Sequence, residues 1–207
     1  MKIICIHDNY PVHGGNKEDD STFSIQRPVV SVKPDSSLLK DGKPFFLPSF
    51  SADIRCGASV VLRVCRLGKC VARRFAHRYY DAVTVGVSFH AADLLQEARM
   101  SGGRYSALYD GFDGAAVLGD FVGLDEQDGR TGLPFTLDIN GEEAQRGDTG
   151  GLLHGLDRLI EEVSEFYTLK MGDLIYTGFP SEDLRVAIGD NVRGFIGNRQ
   201  VLQFNIR

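Results

Sequence analysis

What most constrains this chain is its punctuation. Glycine stands beside Asp or Asn at Asp113-Gly114, Asp128-Gly129, Asn140-Gly141, Gly189-Asp190 and Gly197-Asn198, pairs that tolerate the positive φ a tight turn demands. Short runs of alternating polarity lie between them. Phe135, Leu137 and Ile139 alternate with Thr136 and Asp138 ahead of Asn140-Gly141, and Leu202, Phe204 and Ile206 alternate with Val201, Gln203 and Asn205 after Gly197-Asn198. A period of two sends successive side chains to opposite faces of a strand, so many short strands joined by turns predict a β-rich domain. One amphipathic helix interrupts them. Leu152, Leu153, Leu156, Leu159, Ile160 and Val163 recur at helical spacing and Phe166 continues the stripe, with Asp148 or Thr149 to cap the start and Gly172-Asp173 beyond the end. Weaker helices are expected near residues 71–80 and 91–100, and the polar, aperiodic stretch from His13 to Ser24 is expected to be a mobile loop.

Charge and length exclude several classes of function. The chain has 207 residues with no internal repeat and no shift of composition, so a single domain over 1–207 is expected. Lys and Arg number 23 against 28 Asp and Glu, a net charge of −5, which leaves no electrostatic footprint for nucleic acid. Basic pairs such as Arg73-Arg74 read as a solvated face. No apolar run approaches the roughly 20 residues of a membrane helix, and the start, Met1 to Ile6, lacks the features of a signal peptide. A cytoplasmic protein is expected, with no membrane partner. The four cysteines, Cys5, Cys56, Cys65 and Cys70, form no Cys-x-x-Cys and no Cys-His cluster of ligand spacing, so they are expected to be reduced and to pack as small hydrophobes. His7, His77, His90 and His154 show no mutual ligand spacing and read as structural. Gly102-Gly103 and Gly150-Gly151 lack the context of a nucleotide loop.

Five segments, in order along nearly the whole chain, carry a family resemblance. They are Asn9-Tyr10 with His13 three residues on; Val32-Lys33-Pro34; the apolar stretch Pro44 to Pro48; Asn140-Gly141-Glu142 with Gln145, Gly147 and Thr149; and Ser164, Leu169 and Gly172 to Ile175, followed by Thr177-Gly178-Phe179-Pro180. Together they resemble the fumarylacetoacetate hydrolase family. The resemblance implies an α+β, mostly β fold: a mixed sheet rolled into a partial barrel, with a few short helices, a lid loop at about residues 10–25 and a homodimer. It implies chemistry on β-diketo acids and related 2-oxo or dienoic acids (hydrolysis, decarboxylation or isomerisation) around Mg²⁺ or Mn²⁺ held by three carboxylates. Two of these come from a Glu-x-Glu on one strand, whose i and i+2 side chains share a face, and the third is an Asp from the neighbouring strand. By the same resemblance His13 is a catalytic candidate in the lid, joined by the nearby Glu18, and Lys33, Thr177 and Gly178 are candidates for substrate binding.

At the chemistry the chain departs from the pattern. The Glu-x-Glu positions are Gly57 and Ser59, and the Asp position is Ser88. No acidic residue lies between Asp53 and Asp81, so no shift of register recovers the pair. The family's active-site Lys falls at Asp110, ahead of Phe112-Asp113; its Arg falls at Ala92, and the lid Glu at Asn16, with Glu18 close by. Hydroxyls replace the hydration of a hard dication poorly. The expectation is therefore a pseudoenzyme with a degenerate metal site, no metal ligands and no cofactor, retaining a small oxo-acid ligand. Two alternatives stay open. One is a metal-independent hydrolase or isomerase drawing on His13, Glu18, Lys33, Asp110 and Asp113; the other is a non-catalytic module that binds a small molecule or a protein.

Overall fold

A computed structural model describes residues 1–11, 27–102, 107–124, 132–180 and 183–207. The expected lid, with His13, Asn16 and Glu18, lies outside the described residues apart from its first two positions. Strands dominate the rest: β1 (Ile3–His7), β2 (Val29–Lys33), β3 (Leu38–Leu39), β4 (Ile54–Val64), β5 (Tyr80–Ala91), β6 (Ala116–Leu118), β7 (Val122–Gly123), β8 (Pro134–Ile139), β9 (Glu142–Asp148), β10 (Leu174–Tyr176), β11 (Leu184–Arg185), β12 (Asn191–Ile196) and β13 (Arg199–Asn205). Helix α1 is Ala92–Met100 and α2 is Leu156–Phe166. The larger sheet runs β2-β1-β10-β4-β5-β6-β3, with β11 beside β4 and β7 beside β5; the smaller runs β13-β12-β8-β9. Pairing is mixed, since β1 lies parallel to β10 while β4 and β5 are antiparallel from Ile54↔Ala91 to Val64↔Tyr80.

The larger sheet is strongly rolled. In hydrogen-bonding order β2 and β5 are separated by β1, β10 and β4. Yet the Lys33 ammonium at the end of β2 donates to the carbonyl of Phe89 on β5 (2.9 Å) and to that of Ala115 (3.2 Å). Only a curled sheet brings these strands within one lysine's reach. The turns close as the sequence predicts: Asn140 (φ 56°) and Gly141 (φ 89°) join β8 to β9, and Gly197 (φ 54°) joins β12 to β13.

Alternation then sorts the two faces. On β4 the even positions Cys56, Ala58, Val60, Leu62 and Val64 join the main core, as do the odd positions Val83, Val85, Val87 and Phe89 on β5. They pack with Leu156, Leu159, Ile160 and Val163 of α2 and with Phe135, Leu137, Val192 and Phe204 of the smaller sheet, each large side chain contributing about 1.5–3 kcal/mol by burial. The opposite, inner face is apolar at one end only, where Ile3, Cys5, Val61, Ala116, Leu118, Leu174 and Tyr176 form a second cluster.

Two local expectations are corrected. Residues 71–80 form a 3-10 stretch, Arg73–Arg78, rather than an α-helix. The cap expected for α2 serves an earlier turn. Asp148 accepts from the Gly150 N–H (2.6 Å) at the short 3-10 turn Thr149–Gly151, Thr149 accepts from the Leu133 N–H (2.8 Å), and α2 itself starts after Gly155 without a side-chain cap. Burial of the apolar stripe stands in for the cap, as is usual for helices whose stability comes from packing.

Candidate active site

The inner face at its polar end is built by three strands and the loops beside them. Strand β1 projects Cys5 and His7 on the face opposite Ile4 and Ile6; β2 brings Ser31 and Lys33; β5 brings Ser88 and His90, which pair with Gly57 and Arg55 of β4. Asp110 enters from the segment before β6 and is 6% exposed.

These side chains contact one another. His7 Nε2 lies 2.8 Å from the Ser31 hydroxyl, which lies 3.4 Å from Asp110 Oδ2. The Cys5 thiol has the Ser88 hydroxyl as its hydrogen-bonding partner, and burial pushes that thiol up to about 11, so it is not a thiolate nucleophile. His90 Nε2 stands 3.0 Å from Asp183 Oδ2. Burial holds the His7 imidazole below its usual range, against the pull of the Asp110 charge, and burial likewise lowers Lys33, opposed by Cys5 and Asp110.

The three family metal positions take an arrangement of their own. Gly57 has no side chain because the Phe179 ring rests on it: a Cβ there would come within 2.6 Å of Phe179 Cδ1. Ser59 is buried, at 2% exposure, and Ser88 is engaged by Cys5. Tyr176 closes the floor, its ring over Gly86 and its hydroxyl donating to the Val117 carbonyl (3.0 Å). Among the described residues no three His, Cys, Asp or Glu side chains gather in a way that could hold a metal ion. Two hydroxyls and a bare Cα do not suit a hard dication.

The expected substrate-binding residues make bonds and contacts within the fold. Thr177 is fully buried, and both its hydroxyl (2.9 Å) and its N–H (3.1 Å) donate to the Val60 carbonyl. Gly178 (φ 99°) is held against Asn9, whose Cβ would lie 3.0 Å from a Cβ placed on that glycine. The loop is thus a buried corner bonded to β4. Lys33 does face inward, but it is 1% exposed and tied to two backbone carbonyls, so it buttresses the cluster beside Cys5 and Asp110. Asp113 is exposed to solvent. His13 and Glu18 lie outside the described residues.

Sequence reasoning missed His7 and Ser31. The signal was present: the i, i+2 argument applied to β4 puts His7 on the face of Cys5, and Ser31 on the face of Lys33. Only the pairing of β1 with β2, Cys5 opposite Ser31, brings the two residues together.

Comparison with known proteins places this geometry. The model of the fumarylacetoacetate (FAA) hydrolase C-terminal family matches residues 2–204. The mitochondrial oxaloacetate tautomerase of Caenorhabditis elegans is 24% identical over 209 residues, covering 100% of this chain and 94% of the relative. An oxaloacetate tautomerase of Escherichia coli K12 is 25% identical over 180 residues, 86% of this chain and 80% of the relative. Among solved structures, a fumarylpyruvate hydrolase from Pseudomonas aeruginosa in complex with Mn²⁺ and pyruvate superposes with a TM-score of 0.85 at 21% identity, covering 100% of this chain and 89% of that one. A 5-carboxymethyl-2-hydroxymuconate delta-isomerase from Mycobacterium smegmatis superposes at 0.84 with 25% identity, over 99% and 78% of the two chains. The Mn²⁺ in the Pseudomonas structure overturns the expectation that no cofactor goes with a chain of this kind. No helix among the described residues is long and apolar enough to cross a membrane, and with mitochondrial and bacterial relatives a cytoplasmic location does not follow. Order of motifs, rolled sheet and family model agree, and the chain belongs to the fumarylacetoacetate hydrolase family.

Proposed function

We propose that this protein takes a small 2-oxo acid against the polar end of the inner face and interconverts its keto and enol forms by proton transfer, with the C–C bond-cleaving chemistry of the family impaired. The observation that carries the reading is the set Gly57 beneath Phe179, Ser59 and Ser88, where three carboxylates would otherwise converge. Cleavage of a dicarbonyl needs strong stabilisation of the departing enolate, and electrostatic stabilisation of that kind is usually the largest catalytic contribution, roughly 10²–10³ for a single donor. Tautomerisation asks less. It moves a proton between C3 and the oxo oxygen, and general acid–base groups supply about 10²–10⁴ toward such a step. The relatives named oxaloacetate tautomerase support the substrate class. A second reading, a ligand binder without turnover, is favoured by the Phe179 ring that narrows the face. We further propose a homodimer, the commonest closed assembly; sedimentation at micromolar concentration giving a monomer alone rejects it.

The test is a parallel panel with and without Mn²⁺. Enol-oxaloacetate is followed by the loss of its ultraviolet absorbance, and oxaloacetate decarboxylation and the cleavage of acetylpyruvate and fumarylpyruvate are followed beside it. The expected result is tautomerisation accelerated about 10²-fold or more with no cleavage above background. Silence throughout supports the ligand binder, and cleavage at about 1 s⁻¹ or faster refutes the impairment.

A further inference from the structure

We propose that His7, Ser31 and Asp110 form a proton-transfer chain in which His7 Nδ1 is the base toward C3 of an enolisable 2-oxo acid; the inference rests on the keto–enol reading above. The hydroxyl of Ser31 has one hydrogen. Donated to Asp110 Oδ2 at 3.4 Å, it leaves the oxygen to accept from His7, so the imidazole at 2.8 Å carries its hydrogen on Nε2. That tautomer keeps the lone pair on Nδ1. The logic is that of a base oriented by a third group, with a hydroxyl inserted between carboxylate and ring.

The surroundings suit the role. His7 sits at the end of β1 and is half-buried, so its ring is held by packing while remaining within reach of solvent. The groups facing it are Asp110, Lys33, Asp8 and His90, of which the two acids favour the imidazolium and Lys33 and His90 oppose it. Burial outweighs them and keeps the ring neutral at neutral pH, the form a base requires. Lys33, bonded to the Phe89 and Ala115 carbonyls, stands close enough to Asp110 to balance its charge.

The step balances without a further reagent. The C3–H bond breaks and its proton passes to Nδ1. The bonding pair becomes the C2–C3 double bond, and the pair of the C2 carbonyl moves onto its oxygen. The imidazolium, stabilised through Ser31 by Asp110, returns the proton to that oxygen and the enol leaves. In the reverse direction the same atoms give the keto acid.

The experiment uses the whole chain, with oxaloacetate as substrate and oxalate as a binding probe. His7→Gln is expected to lower the tautomerisation rate about 10²-fold or more, with oxalate binding weakened far less than the rate. Ser31→Ala should lower the rate about tenfold. Asp110→Asn should move the acidic limb of the pH–rate profile to lower pH, because it removes a negative charge that favours the imidazolium; a packing role alone leaves that limb in place. Imidazole ¹⁵N shifts supply a readout independent of turnover and of variants that fold poorly: the wild type is expected to show Nε2–H, with the preference lost in Ser31→Ala. An Nδ1–H tautomer in the wild type, or a His7→Gln variant as fast as wild type, overturns the chain while leaving the keto–enol reading standing. A wild type showing Nε2–H but inert toward oxaloacetate overturns that reading, and the catalytic role of the chain with it.

Discussion

Two regions of this molecule carry motif positions of the same family, and they have fared differently. Around Asn9, the β8–β9 hairpin and the Thr177-Gly178 corner, the motif residues are present, and Asn9, Gln145, Thr149 and Thr177 bond to backbone. Asn9 donates to the carbonyls of His154 (3.2 Å) and Thr177 (2.8 Å) and accepts from the His154 N–H (2.8 Å). Gln145 accepts from the Ala58 N–H of β4 (2.7 Å), tying the smaller sheet to the larger. On the inner face of β4 and β5 the strand pairing is regular from Ile54↔Ala91 to Arg63↔Ala82, yet its side chains are Gly57, Ser59 and Ser88. The motifs most recognisable in the sequence are therefore the ones that staple the scaffold. Their retention reports the fold and is silent on the reaction, because a buried backbone group left without its partner is penalised whatever the chemistry nearby.

If the first region is structural, breaking it should unfold the protein before it alters specificity. Asn9→Ala leaves the N–H of His154 and two carbonyls without partners in a fully buried place. At about 1–3 kcal/mol for each unsatisfied group, a loss of about 3–5 kcal/mol is expected in urea denaturation, a large share of an ordinary domain's stability. A loss under 1 kcal/mol denies the stapling role.

The second region should resist restoration. Gly57→Ala pushes a methyl into the Phe179 ring, with contact to the root of the ring rather than to a flexible tip, and overpacking of this kind costs about 1–3 kcal/mol. Adding Phe179→Thr should recover most of that loss, since the three atoms nearest the added methyl all belong to that ring. If Gly57→Ala is neutral alone, Phe179 does not hold the position described.

Acid should weaken the fold by a smaller amount. The folded protein holds His7 and His154 below the usual histidine value of 6.5, in both cases chiefly by burial. The unfolded chain therefore binds more protons than the folded one as the pH falls below 6.5. Stability is full above that value and declines progressively beneath it; thermal melts from pH 7.5 to 5 should show the slope, and His7→Gln should flatten part of it. Smaller again is Tyr176→Phe, which removes the bond to the Val117 carbonyl while keeping the ring on Gly86. A loss of about 1–2 kcal/mol with no change in activity is expected, and a large loss of activity would mean that Tyr176 takes part in the chemistry.

Much of the scaffold was legible in the sequence because its determinants are local. Turn pairs such as Asn140-Gly141 and the stripe from Leu156 to Val163 declare themselves within a few residues, and the assignment of Gly57 and Ser59 to one face follows from period two. The site was legible only in its losses. That Phe179 would lie on Gly57, that Thr177 would bond to Val60, and that Cys5 would meet Ser88 are contacts across the roll of the sheet, between residues 83 to 122 positions apart and set by curvature that no local pattern encodes. His7 read as structural for the same reason, since its partners belong to β2 and to the segment before β6. The cap of α2 misled in the opposite sense: Asp148 is a good local cap, and the nearer turn took it.

If the polar end of the inner face beside His7 is the working surface, an oxo-acid analogue should bind there. The most direct test is a crystal structure of the protein soaked with oxalate. Oxalate is expected against the His7 imidazole, with the Ser31–Asp110 pair in place behind it. Oxalate bound away from His7, with the inner face vacant, would contradict it.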